Sequence, residues 1–267
     1  MVEVGTKIVD VLSGGARCAL ILGDSHQVVS SLCASAAIDG AVGRLFDHTI
    51  TDPPYDARTH AGGRGARGRP LGLPFESLPI ESYLYGLLSV TKRWSIIFCP
   101  VEALGVFKQL AGPGYRRGGL WLKPDSAPQF DGKQPAQCAE GIALLHYLVG
   151  ERAEQDALRW NRGGNRALWV CGRERHECMG PSQKPVELLI LLIEAFTDEN
   201  DIVFDPFAGW ASVGVACLRA HRRYVGIEER SDAYRDGLIR LGAEGSYASP
   251  TRMRLGQMPL FGREKKR

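Results

Sequence analysis

Short runs of apolar residues alternate along this chain with longer stretches in which apolar positions recur every three or four residues. The short runs predict strands over residues 18–22, 48–51, 94–99, 119–123, 168–171, 201–205 and 224–228. The longer stretches predict helices over residues 25–35, 78–94, 137–147, 184–197, 212–221 and 232–241. This alternation predicts an α/β fold in which helices cover both faces of a mostly parallel, seven-stranded sheet.

Two segments show neither the short apolar runs of a strand nor the three- or four-residue apolar spacing of a helix. Residues 57–75 combine five glycines with two prolines, too much backbone freedom for a helix and too much proline for a strand. They predict a mobile loop. The segment after Ser246 contains Pro250 and Pro259 and ends in a run of basic residues, so residues 251–267 predict a basic tail.

Charge is distributed unevenly along the 267 residues. The formal net charge is only +3. The loop at 57–75 contains four arginines and no acid, and residues 252–267 contain six basic residues and one acid, so the remaining chain is net acidic. A hydrophobic fraction of 44% excludes disorder and a collagen-like fibre, and it suits one large α/β domain or two small ones.

Location and metal content follow from what the sequence lacks. No apolar run approaches the ~18 residues of a membrane-spanning helix, and the first ten residues lack the apolar core of a signal peptide, so we expect a cytoplasmic protein with no membrane partner. The seven cysteines form no Cys-x-x-Cys pair and read as buried, reduced thiols. Cys171, His176 and Cys178 lack a recognisable fourth ligand, so we expect no metal.

A strand followed by a glycine turn is the most informative stretch. An apolar run ends at Asp205, Gly209 follows in a tight turn, and a helix begins near Ser212. Ligands of open α/β sheets bind beyond the carboxyl ends of the strands, where a glycine lets a nucleotide approach the backbone. About twenty residues later a second strand ends at Glu228, which is placed to accept hydrogen bonds from a ribose. The pair predicts a nucleoside-containing cofactor, although a plain packing turn with a solvated acid is the alternative.

Another apolar run ends in Asp52-Pro53-Pro54-Tyr55. The two prolines hold the backbone extended and remove two N–H donors, which leaves carbonyls as free acceptors. A carboxylate and a carbonyl can accept both hydrogens of an amino group while a tyrosine stacks on the base that bears it. These four residues predict a pocket for an exocyclic amine.

Together with Ser182-Gln183-Lys184-Pro185 and Asp205-Pro206-Phe207-Ala208-Gly209, this motif resembles the amino-group DNA methyltransferases, in the permuted subgroup whose catalytic motif precedes the cofactor motif. The resemblance covers roughly residues 18–240. It implies the three-layer, Rossmann-like methyltransferase fold over residues 1–250, with a target-recognition insert at about 124–183.

The resemblance implies roles for individual residues. The S-adenosylmethionine pocket is formed by Asp205, Pro206, Phe207, Ala208 and Gly209, with Glu228 on the ribose, Asp24 beside the adenine, and Lys184 and Pro185 near the methionine end. The target base, flipped out of double-stranded DNA, is bound by Asp52, Pro53, Pro54 and Tyr55. A homodimer is compatible with the subgroup.

The choice of target base and one difference from the family's cofactor motif leave alternatives open. In this family Asp at the first position of the catalytic motif is usual for adenine N6 and Ser for cytosine N4, which favours adenine and leaves cytosine as the rival. Trp210 and Ala211 stand where the family has smaller residues. They suggest a reshaped cofactor pocket, or a DNA-binding protein on a decayed methyltransferase fold. RNA or protein methylation is a weaker alternative.

Basic residues supply the candidate DNA contacts. The loop after Tyr55 is expected to close on the DNA backbone through Arg58, Arg64, Arg67 and Arg69, with a solvated linker as the alternative. Three further arginines are candidates for contacts with base edges, namely Arg159, Arg162 and Arg166. Trp160 is a candidate wedge between bases. A surface turn explains this second segment equally well.

Overall fold

The computed structural model describes residues 2–38, 44–54, 78–126, 135–146, 158, 160–174 and 183–246. Its strands are β1 (Cys18–Leu22), β2 (His48–Thr51), β3 (Trp94–Cys99), β4 (Tyr115–Leu122), β5 (Ala139–His146), β6 (Leu168–Val170), β7 (Ile202–Asp205) and β8 (Arg223–Glu228). Its helices are α1 (Val2–Ser13), α2 (Ser25–Ile38), α3 (Ile80–Val90), α4 (Leu104–Ala111), α5 (Val186–Phe196), α6 (Ser212–Arg219) and α7 (Ser231–Ser246).

The chain divides into two compact units. The first unit comprises Met1–Ser25, Trp160–Arg162 and Arg173–Arg267, and the second comprises His26–Arg159 and Gly163–Gly172. In the first unit β8 lies between β1 and β7, and both pairings are parallel. In the second unit the strand order is β2-β3-β5-β4-β6; the outer pairings β2–β3 and β4–β6 are parallel, and the two that involve β5 are antiparallel. The expected α/β class with mostly parallel pairing is confirmed.

The described residues contain eight strands, one more than predicted, because residues 137–147 were predicted as a helix and contain β5. Six consecutive residues of β5, 141–146, are buried. A strand covered on both faces loses the apolar and polar alternation that identifies a strand, and its Ala and Leu content then favours a helix. The predicted helix at 78–94 is also too long, since α3 ends at Val90 and Trp94 already belongs to β3.

The core of the first unit includes a close contact between α6 and β8. A Cβ atom added at Gly214 of α6 would lie 2.6 Å from the fully buried ring of Tyr224 and 2.8 Å from Leu241. We therefore expect Gly214→Ala to lower the free energy of unfolding by about 1–3 kcal/mol, although alanine favours helices, because the fully buried Tyr224 ring must shift to admit the methyl. Urea denaturation measures the effect. Gly5→Ala in α1 is the control, since nothing lies within 4 Å of its added Cβ; equal stabilities of the two variants would contradict the contact.

Candidate active site

Three acidic residues lie at one edge of the first unit's sheet. Because β1, β8 and β7 are parallel neighbours, their carboxyl ends share an edge, with Leu22 beside Glu228 and Asp205 beside Gly226. Asp205 and Glu228 are buried at the ends of their strands, whereas Asp24 follows β1 and is exposed. The first unit therefore brings together the three acids that the sequence assigned to the cofactor.

The turn between β7 and α6 is held against the end of β8. The Ala208 N–H donates to the Ile227 carbonyl at 2.9 Å, and the Gly209 N–H donates to Glu228 Oε2 at 2.7 Å. At the start of the turn the Phe207 N–H donates to Asp205 Oδ1 at 3.2 Å. Asp205 and Glu228 thus each fix a backbone amide of the turn.

Glu228 receives two backbone amides on its carboxylate. Oε2 accepts from Gly209, and Oε1 accepts from the Arg230 N–H at 2.8 Å. The side chain is buried, and this burial raises its pKa above the ordinary value of 4.5, against the hydrogen bonds from Arg230 and Gly209, which lower it. A carboxylate offers about four lone-pair sites, so two remain for ribose hydroxyls.

Gly209 leaves open space beside this carboxylate. It has a φ of +52°, and no heavy atom lies within 4 Å of the position that a Cβ would occupy. Pro206 and Ala208 are buried beneath the turn, while Phe207 and Gly209 are partly exposed. The backbone at Gly209 can therefore be approached closely by a ligand, as the sequence predicted from the glycine.

Ala211 directs its methyl group inward. The residue is fully buried with a φ of +56°, and a Cβ added at Gly237 of α7 would lie 3.3 Å from the Ala211 methyl. The left-handed backbone costs an alanine about 1–2 kcal/mol, and Gly237 provides the space that the methyl occupies. The methyl is therefore part of the packing between the turn and α7.

Trp210, the other departure from the family pattern, is partly exposed and lies beneath an arginine. The Arg230 guanidinium is 5.4 Å from the centre of the indole ring and also forms an ion pair with Asp232 at 2.6 Å. This cation–π contact could not be predicted from the sequence, because it depends on where β8 ends. Arg230 thus holds Glu228 through its backbone and Trp210 through its side chain.

Lys184 and Pro185 open α5 in the first unit, and both are buried. The Pro185 carbonyl accepts the Leu189 N–H at 3.1 Å, which starts the helix, and Glu174 Oε2 accepts the Val186 N–H at 3.4 Å. A proline at this point begins a helix without losing a hydrogen bond. The helix therefore begins two residues after the predicted start at Lys184, with Pro185 as its N-cap.

Asp52, Pro53 and Pro54 follow β2 in the second unit. Pro53 is buried, and Asp52 and Pro54 are partly exposed. The Pro54 carbonyl accepts the Leu78 N–H at 3.2 Å, whereas the Pro53 carbonyl accepts no hydrogen bond within residues 44–54 and 78–126. A partly exposed carboxylate thus precedes a carbonyl with spare acceptor capacity, as an amine pocket requires. Tyr55 lies outside the described residues.

Tyr83 of α3 is a neighbour of this motif that the sequence analysis did not identify. Burial raises the pKa of its hydroxyl well above the usual range, and the negative charges of Cys99 and Asp52 raise it further. Tyr83 shares the buried face of α3 with Leu84 and Leu87, so its sequence spacing indicated only core packing. It stays neutral beside Asp52.

The candidate DNA-reading segment is attached to α5. Asn161 Nδ2 donates to the Thr197 carbonyl at 2.8 Å, Arg162 pairs with Glu194 at 3.4 Å, and the Trp160 ring packs on Phe196 at 5.4 Å. This packing provides a structural role for Trp160 and favours the turn over the wedge hypothesis. Arg166 is exposed in the second unit. The remaining candidates, Arg58, Arg64, Arg67, Arg69 and Arg159, lie outside the described residues, as do His176 and Cys178.

None of the described helices is long and apolar enough to cross a membrane. Within the same residues no three His, Cys, Asp or Glu side chains are grouped as metal ligands are.

Known structures share this arrangement of strands and helices. The complex of M1.HpyAVI with S-adenosylmethionine superimposes with a TM-score of 0.62 at 19% identity, covering 84% of this chain and 98% of that one. The cytosine-N4-specific PvuII DNA methyltransferase gives 0.57 at 12% identity, covering 84% of this chain and 86% of that one. The fold is that of S-adenosylmethionine-dependent DNA methyltransferases.

Sequence comparison points to DNA methyltransferases as well. Residues 146–238 match the family N6_N4_Mtase, described as "DNA methylase". The type II methyltransferase M.HindIII of Haemophilus influenzae is 40% identical over 130 residues, which are 46% of this chain and 42% of that protein. The chain spans less than half the length of the curated relatives it matches. These similarities support an amino-group DNA methyltransferase, and the matched family segment includes the methyltransferase-fold residues Lys184, Asp205 and Glu228.

Proposed function

We propose that this protein transfers a methyl group from S-adenosylmethionine to N6 of adenine in double-stranded DNA. The observation that carries the proposal is Glu228, a buried carboxylate that fixes Gly209 and retains acceptor capacity at the carboxyl edge of a methyltransferase fold. The motif Asp52-Pro53-Pro54-Tyr55 of the second unit supplies the chemistry for an amine. We keep residues 1–250 as the methyltransferase domain in the permuted order, with 124–183 as the recognition insert.

The residues of the first unit suit the cofactor. Glu228 would accept hydrogen bonds from the ribose hydroxyls, and the backbone at Gly209 leaves room for close approach. Asp24 is exposed at the end of the adjacent strand, where it can accept from the adenine. Phe207 would lie beside the nucleoside, and Lys184 with Pro185 near the methionine end.

The residues of the second unit suit the target amine. An adenine amino group is a poor nucleophile because its lone pair is delocalised into the ring. When the Asp52 carboxylate and the Pro53 carbonyl accept its two hydrogens, the nitrogen becomes more tetrahedral and its lone pair is directed away from the ring plane. Bound S-adenosylmethionine supplies an electrophilic methyl group on a sulfonium. Asp52 acts as the acceptor that orients the amine, and Tyr55 stacks on the flipped base.

Two observations bear on the rival functions. The structural likeness to a cytosine-N4-specific enzyme favours cytosine N4 as the second candidate, since both amines need the same pair of acceptors. The inward-facing methyl of Ala211 weakens the case for a decayed cofactor site, because that residue does not fill the open space at Gly209.

The basic loop offers a prediction on DNA binding. We expect replacement of Arg58, Arg64, Arg67 and Arg69 by alanine to weaken DNA binding and to reduce the slope of log affinity against log salt by up to about 3–4, because each phosphate contact contributes about 0.9. Fluorescence anisotropy across a salt series measures the slope. Arg235→Ala, exposed on α7, controls for loss of charge alone. An unchanged slope in the fourfold variant would remove the loop from the interface.

Transfer of labelled methyl to unmethylated DNA tests the function. We expect label in the DNA, located at N6-methyladenine after enzymatic digestion to nucleosides. Label at N4-methylcytosine would retain the enzyme class and replace the base. Calorimetric titration with S-adenosylmethionine separates the remaining case, since absence of both binding and transfer would contradict the proposal.

A further inference from the structure

We propose that the first unit contains a second binding site, for a phosphate group, at the opposite edge of its sheet. A cavity of about 350 Å³ is lined by Gly14, Ala16, Arg17, Asn200, His221, Arg222 and Arg223. These residues immediately precede or begin β1, β7 and β8, so the cavity lies at the amino ends of the three strands. From Arg223 to Glu228 the strand spans about 17 Å. The site is separate from the cofactor edge and does not rest on the proposed function.

Three guanidinium groups line this cavity, and no Asp or Glu is among its described lining residues. Their hydrogen bonds within the described residues all go to uncharged oxygens. Arg17 donates to the Leu218 carbonyl at 2.9 Å, and Arg223 donates to the carbonyls of Val11 at 2.8 Å and Asn200 at 2.9 Å. Among the described residues, none of these three guanidinium groups forms an ion pair with a carboxylate.

The Arg222 side chain is buried, so leaving its positive charge without a nearby negative charge is energetically unfavourable. Its side chain is only 8% exposed, and it donates to the hydroxyl oxygen of Thr197 at 2.9 Å and to the carbonyl oxygen of the same residue at 2.6 Å. Hydrogen bonds to neutral oxygens satisfy its donors but leave its charge, which water screens poorly at that depth. An anion in the cavity would supply the missing charge.

The carboxyl ends of neighbouring helices offset part of the positive charge of the arginines. The remainder indicates how much negative charge a bound anion would supply. Val11 lies in the last turn of α1 and Leu218 in the last turn of α6, and a helix carboxyl end carries about half a negative charge. The Thr197 carbonyl that Arg222 contacts ends α5, so three guanidinium charges against three such ends leave about one and a half positive charges. A phosphate group carries about −1.5 to −2 near neutral pH, and arginine forks match its oxygens in pairs. Capping of the three helix ends explains one hydrogen bond of each arginine, and the residual charge points to phosphate.

Asn200→Asp tests the site with little disturbance of the fold. Asn200 has a φ of +65°, a conformation that Asp tolerates as Asn does, and the new carboxylate would lie among the three arginines. We expect calorimetry to detect inorganic phosphate binding to the unaltered protein at constant ionic strength, and N200D to weaken it about tenfold or more. The melting temperature of N200D without phosphate should not fall, because the carboxylate replaces the missing anion.

Two further variants make the test decisive. Gln109→Glu, exposed on α4 in the second unit, adds the same charge elsewhere and should bind phosphate like the unaltered protein. Arg17→Gln removes one guanidinium and should also weaken phosphate binding, whatever happens to the stability of N200D. The proposal is overturned if the unaltered protein binds no phosphate beyond a chloride control, or if N200D and R17Q both bind it normally.

A separate measurement on the same variants distinguishes a phosphate group of a DNA backbone from free phosphate or a nucleotide. If the group belongs to a DNA backbone, N200D lowers the salt slope of binding to a short duplex by about one, as expected for loss of one phosphate contact. If it is free phosphate or a nucleotide, the duplex slopes of N200D and Q109E agree while phosphate binding still differs. We expect the second result, because the cavity lies across the strands from the proposed cofactor edge.

Discussion

Replacement of Asp52 by asparagine is expected to lower the rate of methyl transfer by about 10³-fold or more while leaving the affinity for S-adenosylmethionine within about twofold. The asparagine amide keeps the shape of the carboxylate but loses its charge, and it presents an N–H₂ donor where the target amine also donates. Loss of one preorganised acceptor in an active site costs typically 10²–10³ in rate, and a donor facing a donor adds repulsion. Single-turnover transfer to DNA measures the rate, and calorimetry measures cofactor binding.

Asp47→Asn is the matched control for this experiment. Asp47 lies just before the same strand and forms a partly exposed ion pair with Lys92 at 2.9 Å. Such pairs contribute about 0–1 kcal/mol, so its loss should leave both rate and fold unchanged. Full activity of D52N would refute the assigned role, and a matching loss in D47N would show that the effect is general.

The strand ends of the candidate site could be predicted from the sequence because each lies at a sharp change of residue type. The bounds of β1, β2 and β3 match the predicted ones, and β7 and β8 differ by one residue at their amino ends. In β7 and β8 an apolar run stops at a buried acid, and in β2 it stops at an acid followed by two prolines. Local composition alone therefore placed Asp205, Glu228 and Asp52 at strand ends.

Features that depend on distant contacts could not be predicted in this way. The inward direction of the Ala211 methyl depends on Gly237, which lies twenty-six residues later on α7. The charged cavity requires the residues before β1, β7 and β8 to meet, and nothing in the sequence links Arg17 to Arg223. Helix α1 was not predicted at all, although Ile8 and Val11 are buried, because its short apolar spacing is interrupted by charged residues.

The second large effect is expected at Glu228, whose replacement by glutamine should weaken S-adenosylmethionine binding by about 100-fold. The carboxylate accepts N–H groups from Gly209 and Arg230 on separate oxygens, and glutamine offers only one oxygen, so one backbone donor must face an N–H₂ group. Hydrogen bonds to a charged group contribute about 1.5–3 kcal/mol, which corresponds to roughly 10–100-fold in affinity for each one lost. Glu229→Gln, the exposed neighbour, is the control for charge and should bind the cofactor normally.

The raised pKa of Glu228 adds a pH dependence to this prediction. Burial makes this carboxyl protonate in the folded chain at a pH above its ordinary value of 4.5, so acidification removes the charged acceptor before most other carboxyls titrate. Affinity for S-adenosylmethionine should therefore fall as the pH is lowered through the raised pKa, and E228Q should lack that step.

The contribution of Glu228 to the free energy of unfolding has the opposite pH dependence. It is largest below the unfolded pKa and is lost as the pH rises through the folded pKa, because the folded chain binds the proton more tightly. Calorimetric titrations across pH, paired with urea denaturation at the same values, separate the two trends. Identical pH profiles for E228Q and the unaltered protein would contradict the assignment of Glu228 to the cofactor.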